Sequence, residues 1–295
     1  MFTNTLKNIL LPAAALAVTT TIAQAQTVKE PVVDNPEWAQ PYQPYRIAGN
    51  LYYVGTYDLC AYLITTPQGH ILINTGLAAS DTLIKAGVEK LGFAFKDIKV
   101  LLTTQAHYDH LGAMASVKKQ TGARMMVDYK DAAVLKDGGS SDYAFGGDGS
   151  SFAPVQPDRI LHDKDTISLG GTTLAMLHHP GHTKGSCSYL LNVKDQHKTW
   201  RVLIANMPTI VTEKDFHHLD AYPEIAADYA YTLKSMKALR FDLWVSSHAS
   251  QFDMHTKHKP GDAYNPQAFS GRKDYDERLR KLQAEYDKKV AGKKQ

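Results

Sequence analysis

Three short stretches, far apart in the chain, carry the residue types that bind a borderline metal ion. Gln105, His107, Asp109 and His110 fall in 103-TTQAHYDHLG-112, His182 stands in 178-HHPGHTKGS-186, and His248 stands in 244-WVSSHAS-250. Imidazole and carboxylate groups are the usual partners of Zn²⁺. Each stretch follows an apolar, strand-like run, so a metal site assembled from them would stand on rigid strand ends with its ligands on the loops just beyond. Taken alone, the first stretch is ambiguous: His107 and His110 could sit at a helix start, and Asp109 could be its N-cap. Joined to a P-G-H-T loop and a strand-terminal S-H-A, it reads as a metal site. The other histidines read as supports. His178 and His179 flank Pro180, His217 and His218 lie in a polar loop, and His70, His162, His197, His255 and His258 read as surface or hydrogen-bonded residues.

The surrounding pattern says what positions these groups. Residues 46–76 read as strands throughout, with turns at Asn50, Gly55 and 67-PQG-69. An amphipathic helix follows over 80–92, with Leu83, Ile84, Val88 and Leu91 on one face and Gly92 at its end. Strand 98–104 leads into the polar cluster. The spacing then predicts a helix over 111–123, a strand over 124–128 and a helix over 129–139. The Gly-, Ser-, Asp- and Pro-rich residues 140–160 read as loop. Strand-like runs return at 160–179, 186–193 and 200–206, followed by a helix over 222–240, a strand over 241–249 and a charged helix over 272–290. Strand clusters with helices after them, repeated without a flexible linker, predict an α+β domain of two packed sheets with helices outside.

Composition narrows the function classes. Lys7 is the only charge in residues 1–25, an apolar run follows it, and 23-AQA-25 has the small-x-small pattern of a cleavage site, so residues 1–25 read as a secretory signal peptide and 26–295 as one exported, periplasmic domain. No later run approaches the ~18 apolar residues of a membrane span. A formal charge of +3, with 33 basic against 30 acidic residues, argues against a nucleic-acid partner. The basic end, 288-KKVAGKK-294, reads as a solvated helix terminus. The two cysteines, Cys60 and Cys187, both lie in apolar runs and read as buried free thiols, with a bridge left open because sequence does not give their separation.

The H-x-H-x-D-H signature, with Gln105 in place of its first His, the P-G-H-T loop and the strand-end His together resemble the metallo-β-lactamase superfamily. The runs 46-RIAGNLYYVGTYDL-59, 178-HHPGHTKGSCS-188, 202-VLIANMP-208 and 247-SHASQFD-253 resemble class B enzymes of the third subclass, in the GOB-type branch, over nearly the whole chain after residue 25. The resemblance implies the αββα sandwich of that superfamily. It implies one zinc site from Gln105, His107 and His182 and another from Asp109, His110 and His248, with one or two Zn²⁺ per chain. An amide oxygen is a weaker ligand than imidazole, so the second set is expected to fill first. Where glyoxalase II-like members of the superfamily place a bridging Asp, this chain has Met207, whose soft thioether reads as a space-filler beneath the metal.

The activity implied is hydrolysis of the β-lactam amide, carbapenems included, by hydroxide generated on zinc, with Asp109 holding metal and orienting the water. Serine chemistry has little support: no G-x-S-x-G occurs. Tyr57, Tyr143, Lys184 and Ser186 are the candidate substrate contacts. Lys184 fits a carboxylate partner and a solvent-facing residue equally well, and Tyr57 and Tyr143 fit packing roles as well. The partner expected is a small β-lactam met by a monomer. The rival readings are another hydrolase on the same fold, acting on lactones or thioesters, and a zinc-binding protein without turnover.

Overall fold

The computed structural model describes residues 1–2, 27–147, 149–196 and 198–291. Most of the expected leader, including its cleavage site at Ala25, and the last residues of the basic tail lie outside them. The first sheet has seven strands in sequence order: β1 (Tyr45–Ala48), β2 (Leu51–Tyr53), β3 (Tyr62–Thr66), β4 (Gly69–Ile73), β5 (Ile98–Leu102), β6 (Arg124–Asp128) and β7 (Arg159–Leu161). The second has five: β8 (Thr166–Leu169), β9 (Thr172–His178), β10 (Cys187–Lys194), β11 (Thr199–Ala205) and β12 (Leu243–Ser246), in the order β12-β11-β10-β9-β8. The helices are α1 (Ser80–Lys90), α2 (Tyr108–Leu111), α3 (Met114–Thr121), α4 (Ala132–Lys136), α5 (Ile225–Ala238), α6 (Met254–Lys257) and α7 (Lys273–Ala291).

The period of two along each strand builds the layers. In β4, Ile71 and Ile73 point into a core shared with Met176, Tyr189 and Val202 of the second sheet. Leu72, between them, joins Ile84 and Val88 of α1 and Met114 and Val117 of α3 on the opposite face. A strand buried on both faces reads as a continuous apolar run, and all five residues of β4 are buried. The outer face of the second sheet is covered by Leu233 and Met236 of α5 and Leu279 and Leu282 of α7. The order is therefore helix, sheet, sheet, helix. Truncating a side chain such as Leu72 to Ala would cost about 2–5 kcal/mol.

Three expected elements are refined. The helix over 111–123 is two pieces, α2 and α3, separated at Gly112 and Ala113. Gly112 lies so close to the backbone of Leu77 and Ala78 that a Cβ there would come within 2.4 Å of the Ala78 nitrogen. That contact presses the polar loop onto the end of β4. The helix over 129–139 shrinks to α4, after a turn. The run 160–179 divides into β7, β8 and β9, broken at Lys164 (φ 68°) and at Gly170 and Gly171, and in it the chain passes from the first sheet to the second.

Cys60 and Cys187 are both buried and free. Burial pushes both thiols up, so they are inert packing groups. Met207 is buried in the core between the sheets. Among the described residues, no helix is long and apolar enough to cross a membrane.

Candidate metal centre

Strands β9, β11 and β12 run in the same direction in the second sheet, and β4 and β5 run parallel in the first. The loops that follow β5, β9, β11 and β12 converge on one cleft. Polar ties between the sheets close its floor. The Thr104 and Ser247 hydroxyls lie 2.9 Å apart, Cys187 N donates to Thr104 O (2.8 Å), and Cys60 N donates to Ser247 O (3.1 Å). Asn74, just past β4, stands at φ 63°, a left-handed conformation that Asn tolerates better than most residues. Its Oδ1 accepts from Thr104 N at 2.9 Å, and so fixes where the 105–110 loop departs.

The loop gathers its polar groups at once. His107 is the extended residue before α2, and Asp109 and His110 occupy the single turn that follows. Asp109 Oδ2 lies 3.1 Å from His110 Nε2 and 3.3 Å from His248 Nε2, which arrives from the end of β12. One ligand-type atom from each of these residues lies within 4.8 Å of the others. Burial alone would raise the Asp109 carboxyl, but the two imidazoles hold it well below the ordinary carboxylate range. Burial lowers His248 as well, yet Asp109 and Asp58 outweigh it and lift the imidazole to about 9. His110 is fully buried, and neither of its ring nitrogens has a hydrogen-bond partner among the described residues. A buried imidazole with two orphaned nitrogens beside a charged carboxylate is costly unless something else is bound there. The donor set of Asp109, His110 and His248 fits a divalent metal such as zinc.

The second group shares the cleft. Gln105, His107, His182 and His248 line one cavity of about 190 Å³ together with Trp38, Tyr108, Asp109, Phe145, Thr209 and Val211. The rings of His107 and His182 lie 4.9 Å apart. His182 Nδ1 donates to Thr209 O at 2.8 Å, which leaves Nε2 as its lone-pair nitrogen, and burial pushes this imidazole down to about 3, so it is neutral. The loop that delivers it needs Gly181, at φ 133°, where a Cβ would meet the Tyr229 ring at 2.9 Å. Gln105 lines the cleft, and its side-chain amide makes no hydrogen bond to another described residue.

Supports behind these groups escaped the sequence reading. Asp58 accepts from His248 Nδ1 (3.1 Å), Trp38 Nε1 (3.1 Å) and Ser250 N (2.8 Å), and the His248 and Ser250 contacts hold its carboxyl at about 2 against the upward push of burial. Asp131 ties the two ligand loops together by accepting from Ala106 N (2.9 Å), Thr183 Oγ1 (2.7 Å) and Gly185 N (2.7 Å); burial pushes its carboxyl up to about 7. Asp142 stands 3.5 Å from His107 Nε2, a charge contact longer than a hydrogen bond. Trp38 and Phe145 form opposite walls, with their rings 5.5 Å from His248 and 4.9 Å from His107. The sequence signal for Asp58 and Asp131 was weak: each is an isolated acid in a turn, and only the fold shows that each is buried.

The four candidate substrate contacts fall elsewhere. Ser186 is fully buried and donates to His179 O at 2.7 Å, so its hydroxyl serves the loop and does not face the cleft. Tyr57 stacks on His255 at 3.8 Å and lines a different cavity, with Gln40 and Lys259. Tyr143 donates to Gly181 O (3.0 Å) and His182 O (3.1 Å), beneath the cleft wall. Lys184 lies over the Tyr222 ring, 5.4 Å from its centre.

Comparison with known proteins agrees with this arrangement. The model of the metallo-beta-lactamase superfamily matches residues 61–195. A class B3 di-zinc metallo-beta-lactamase, LRA-12, from an Alaskan soil metagenome, is 66% identical, covers 89% of this chain and 100% of its own, and superposes with a TM-score of 0.89. The metallo-beta-lactamase GOB-18 from Elizabethkingia meningoseptica is 57% identical over 89% of this chain and 97% of its own, with a TM-score of 0.88. A probable metallo-hydrolase of Burkholderia pseudomallei is 34% identical over 40% of this chain, and the match spans 38% of that protein's length.

Proposed function

As the chain belongs to the metallo-β-lactamase superfamily, and within it to class B3, we propose that it is an exported zinc β-lactamase that opens the β-lactam amide, carbapenems included. The observation that carries the reading is the gathering of Asp109, His110 and His248 within 4.8 Å, in a cleft that also presents Gln105, His107 and His182. Asp109, His110 and His248 would hold one zinc, and Gln105, His107 and His182 the other. Bound zinc supplies a Lewis acid and brings the pKa of water at its open position to about 7.

The protein's own share is positioning. Asp109 lies between two imidazoles, and its carboxylate keeps the ionised form needed to hold metal and orient water. Asp58 fixes the His248 ring through Nδ1, and Thr209 fixes the His182 ring through Nδ1. In both residues Nε2 is thereby directed to the cleft. Trp38, Phe145 and Val211 supply apolar walls that would exclude water around a small bicyclic amide. These walls line the cleft, whereas Tyr57, Tyr143, Lys184 and Ser186 are not among its lining residues.

Export is supported by the charge-poor, apolar leader with 23-AQA-25, which favours a periplasmic enzyme. The near-neutral charge balance offers nothing to a nucleic acid, and a monomer meeting a small substrate suffices for the chemistry. The test is hydrolysis of a carbapenem and a penicillin by the purified mature protein, with and without a zinc chelator, with bound zinc counted in the same samples. Chelator-sensitive turnover is expected. A folded, zinc-loaded sample that leaves every β-lactam intact would move the assignment to lactones, thioesters or zinc binding alone.

A further inference from the structure

The loop 139–147 is clamped onto one half of the metal centre. Asp142 is nearly buried, and its Oδ1 accepts from Ala144 N (2.9 Å) and Phe145 N (2.8 Å). Its Oδ2 faces His107 Nε2 at 3.5 Å. The Phe145 ring meets the His107 ring edge to face, and the Tyr143 hydroxyl donates to the carbonyl of His182 itself. Gly147 N donates to Ser140 O (3.0 Å) and Gly146 N to Asp142 O (3.1 Å), which closes the loop on itself. Both histidines that share a half-site with Gln105 are therefore touched by this loop, His107 at its ring and His182 at its backbone carbonyl. Among the described residues, no other carboxylate forms an ion pair with either of them.

This pattern matches the chemical weakness of that half-site. Asp109 brings a negative charge to the set with His110 and His248, whereas Gln105, His107 and His182 bring none when neutral. A neutral imidazole carries its proton on one nitrogen and offers the other as a lone pair. A carboxylate facing Nε2 favours the proton there, directs Nδ1 to a metal and raises its basicity. We infer that Asp142 is the positioning residue of the Gln105 half-site, selecting the His107 nitrogen offered to zinc and supplying from behind the charge that the amide lacks. The inference rests on the ligand assignment proposed above.

The test is zinc affinity, read by competition with a chromophoric chelator, in Asp142→Asn. The asparagine side chain keeps an oxygen to accept from Ala144 and Phe145 but removes the charge. Affinity for the weaker zinc should fall about 10–100-fold, the range for loss of an outer partner, with the tighter zinc unchanged. Asp142→Glu should recover part of the loss, and Gln105→His added to Asp142→Asn should recover more. Histidine nitrogen NMR of the zinc-free wild-type protein should show His107 protonated on Nε2, a readout that needs no variant. Unchanged affinity in Asp142→Asn, an equal loss at both zinc sites, or the Nδ1-protonated form of His107 would each overturn the inference. His107→Ala separates the two levels of argument. If it keeps both zinc ions, the ligand assignment itself fails; if it loses the weaker one while Asp142→Asn does not, only the role of Asp142 fails.

Discussion

The two halves of the metal centre are built on opposite principles. In the half made by Asp109, His110 and His248, charge does the gathering: one buried carboxylate sits 3.1 and 3.3 Å from two imidazoles. In the half made by Gln105, His107 and His182, no member brings a carboxylate to draw the others in, and only an edge-to-face ring contact links His107 to His182. Its imidazoles are held from outside, His182 by Thr209 and His107 by the loop carrying Asp142 and Phe145, while Tyr143 of that loop fixes the His182 backbone. A charged set is preorganised by its own members, while a neutral set borrows its order from its surroundings. Changes within the first half should therefore be severe, and changes in the second half should be graded and reparable.

The largest effect is expected for Asp109→Asn. The amide keeps the shape but abolishes the attraction between the loop and the end of β12. It also leaves the buried His110 beside a neutral neighbour. Loss of a mere outer partner costs about 10–100-fold in affinity or activity, so loss of this central carboxylate should exceed about 100-fold in kcat/KM and abolish the tighter zinc. Zinc counting after dialysis checks it. A variant that keeps the tighter zinc at wild-type affinity would break the comparison at its root.

Asp58→Asn comes next. It removes the charge behind His248 and weakens the tie to Trp38, so one change loosens both a proposed ligand and a wall of the cleft. Affinity for the tighter zinc should fall about 10–100-fold while the weaker zinc is unaffected. Chelator titration of the two metals distinguishes this result from general destabilisation.

That Asp58 matters could not be read from the sequence, and the reason is physical. His107, Asp109, His110, His182 and His248 were legible because ligand chemistry demands particular residue types at strand ends, and those types stand out in a short motif. The layers were legible for a similar reason: runs such as 98-IKVLL-102 show the period and length of buried strands. Supports obey no such rule. Asp58, Asp131 and Asp142 are single acids in turns, and the same residue in an exposed turn would read identically. Only the approach of distant chain segments shows that Asp58 faces His248 and that Asp131 bridges Ala106 and Gly185. The candidate substrate contacts sit apart from the cleft lining for the same reason. Ser186 lies next to the P-G-H-T motif in sequence and Tyr143 in the long loop before it, but carbonyls of the 178–186 loop take both hydroxyls. Trp38, far away in sequence, forms the wall.

Gln105→His sharpens the comparison in the other direction. It gives the neutral half a stronger third ligand, and the weaker zinc should bind at least about tenfold more tightly, a gain of about 1.4 kcal/mol. In the wild-type protein, graded chelator should strip the Gln105 half first and leave one zinc per chain over a range of concentrations. In the variant that plateau should narrow or vanish. A wild-type protein that loses both ions together would show that the two halves do not differ in affinity.

The smallest effect tests how redundant the borrowed order is. His182 Nδ1 has two acceptors on one residue, the Thr209 carbonyl at 2.8 Å and its hydroxyl at 3.0 Å. The carbonyl is itself held by the Tyr229 hydroxyl at 2.8 Å, so it stays in place when the side chain changes. Thr209→Val removes only the hydroxyl. A hydrogen bond is worth about 0.5–1.5 kcal/mol net, and the shorter of the two bonds survives. The expected loss is therefore about two- to threefold in affinity for the weaker zinc, with no change at the tighter one. A tenfold loss would mean that the hydroxyl, not the carbonyl, fixes the ring. The neutral half would then hang on one side chain, and the contrast with the charged half would be sharper than the geometry implies.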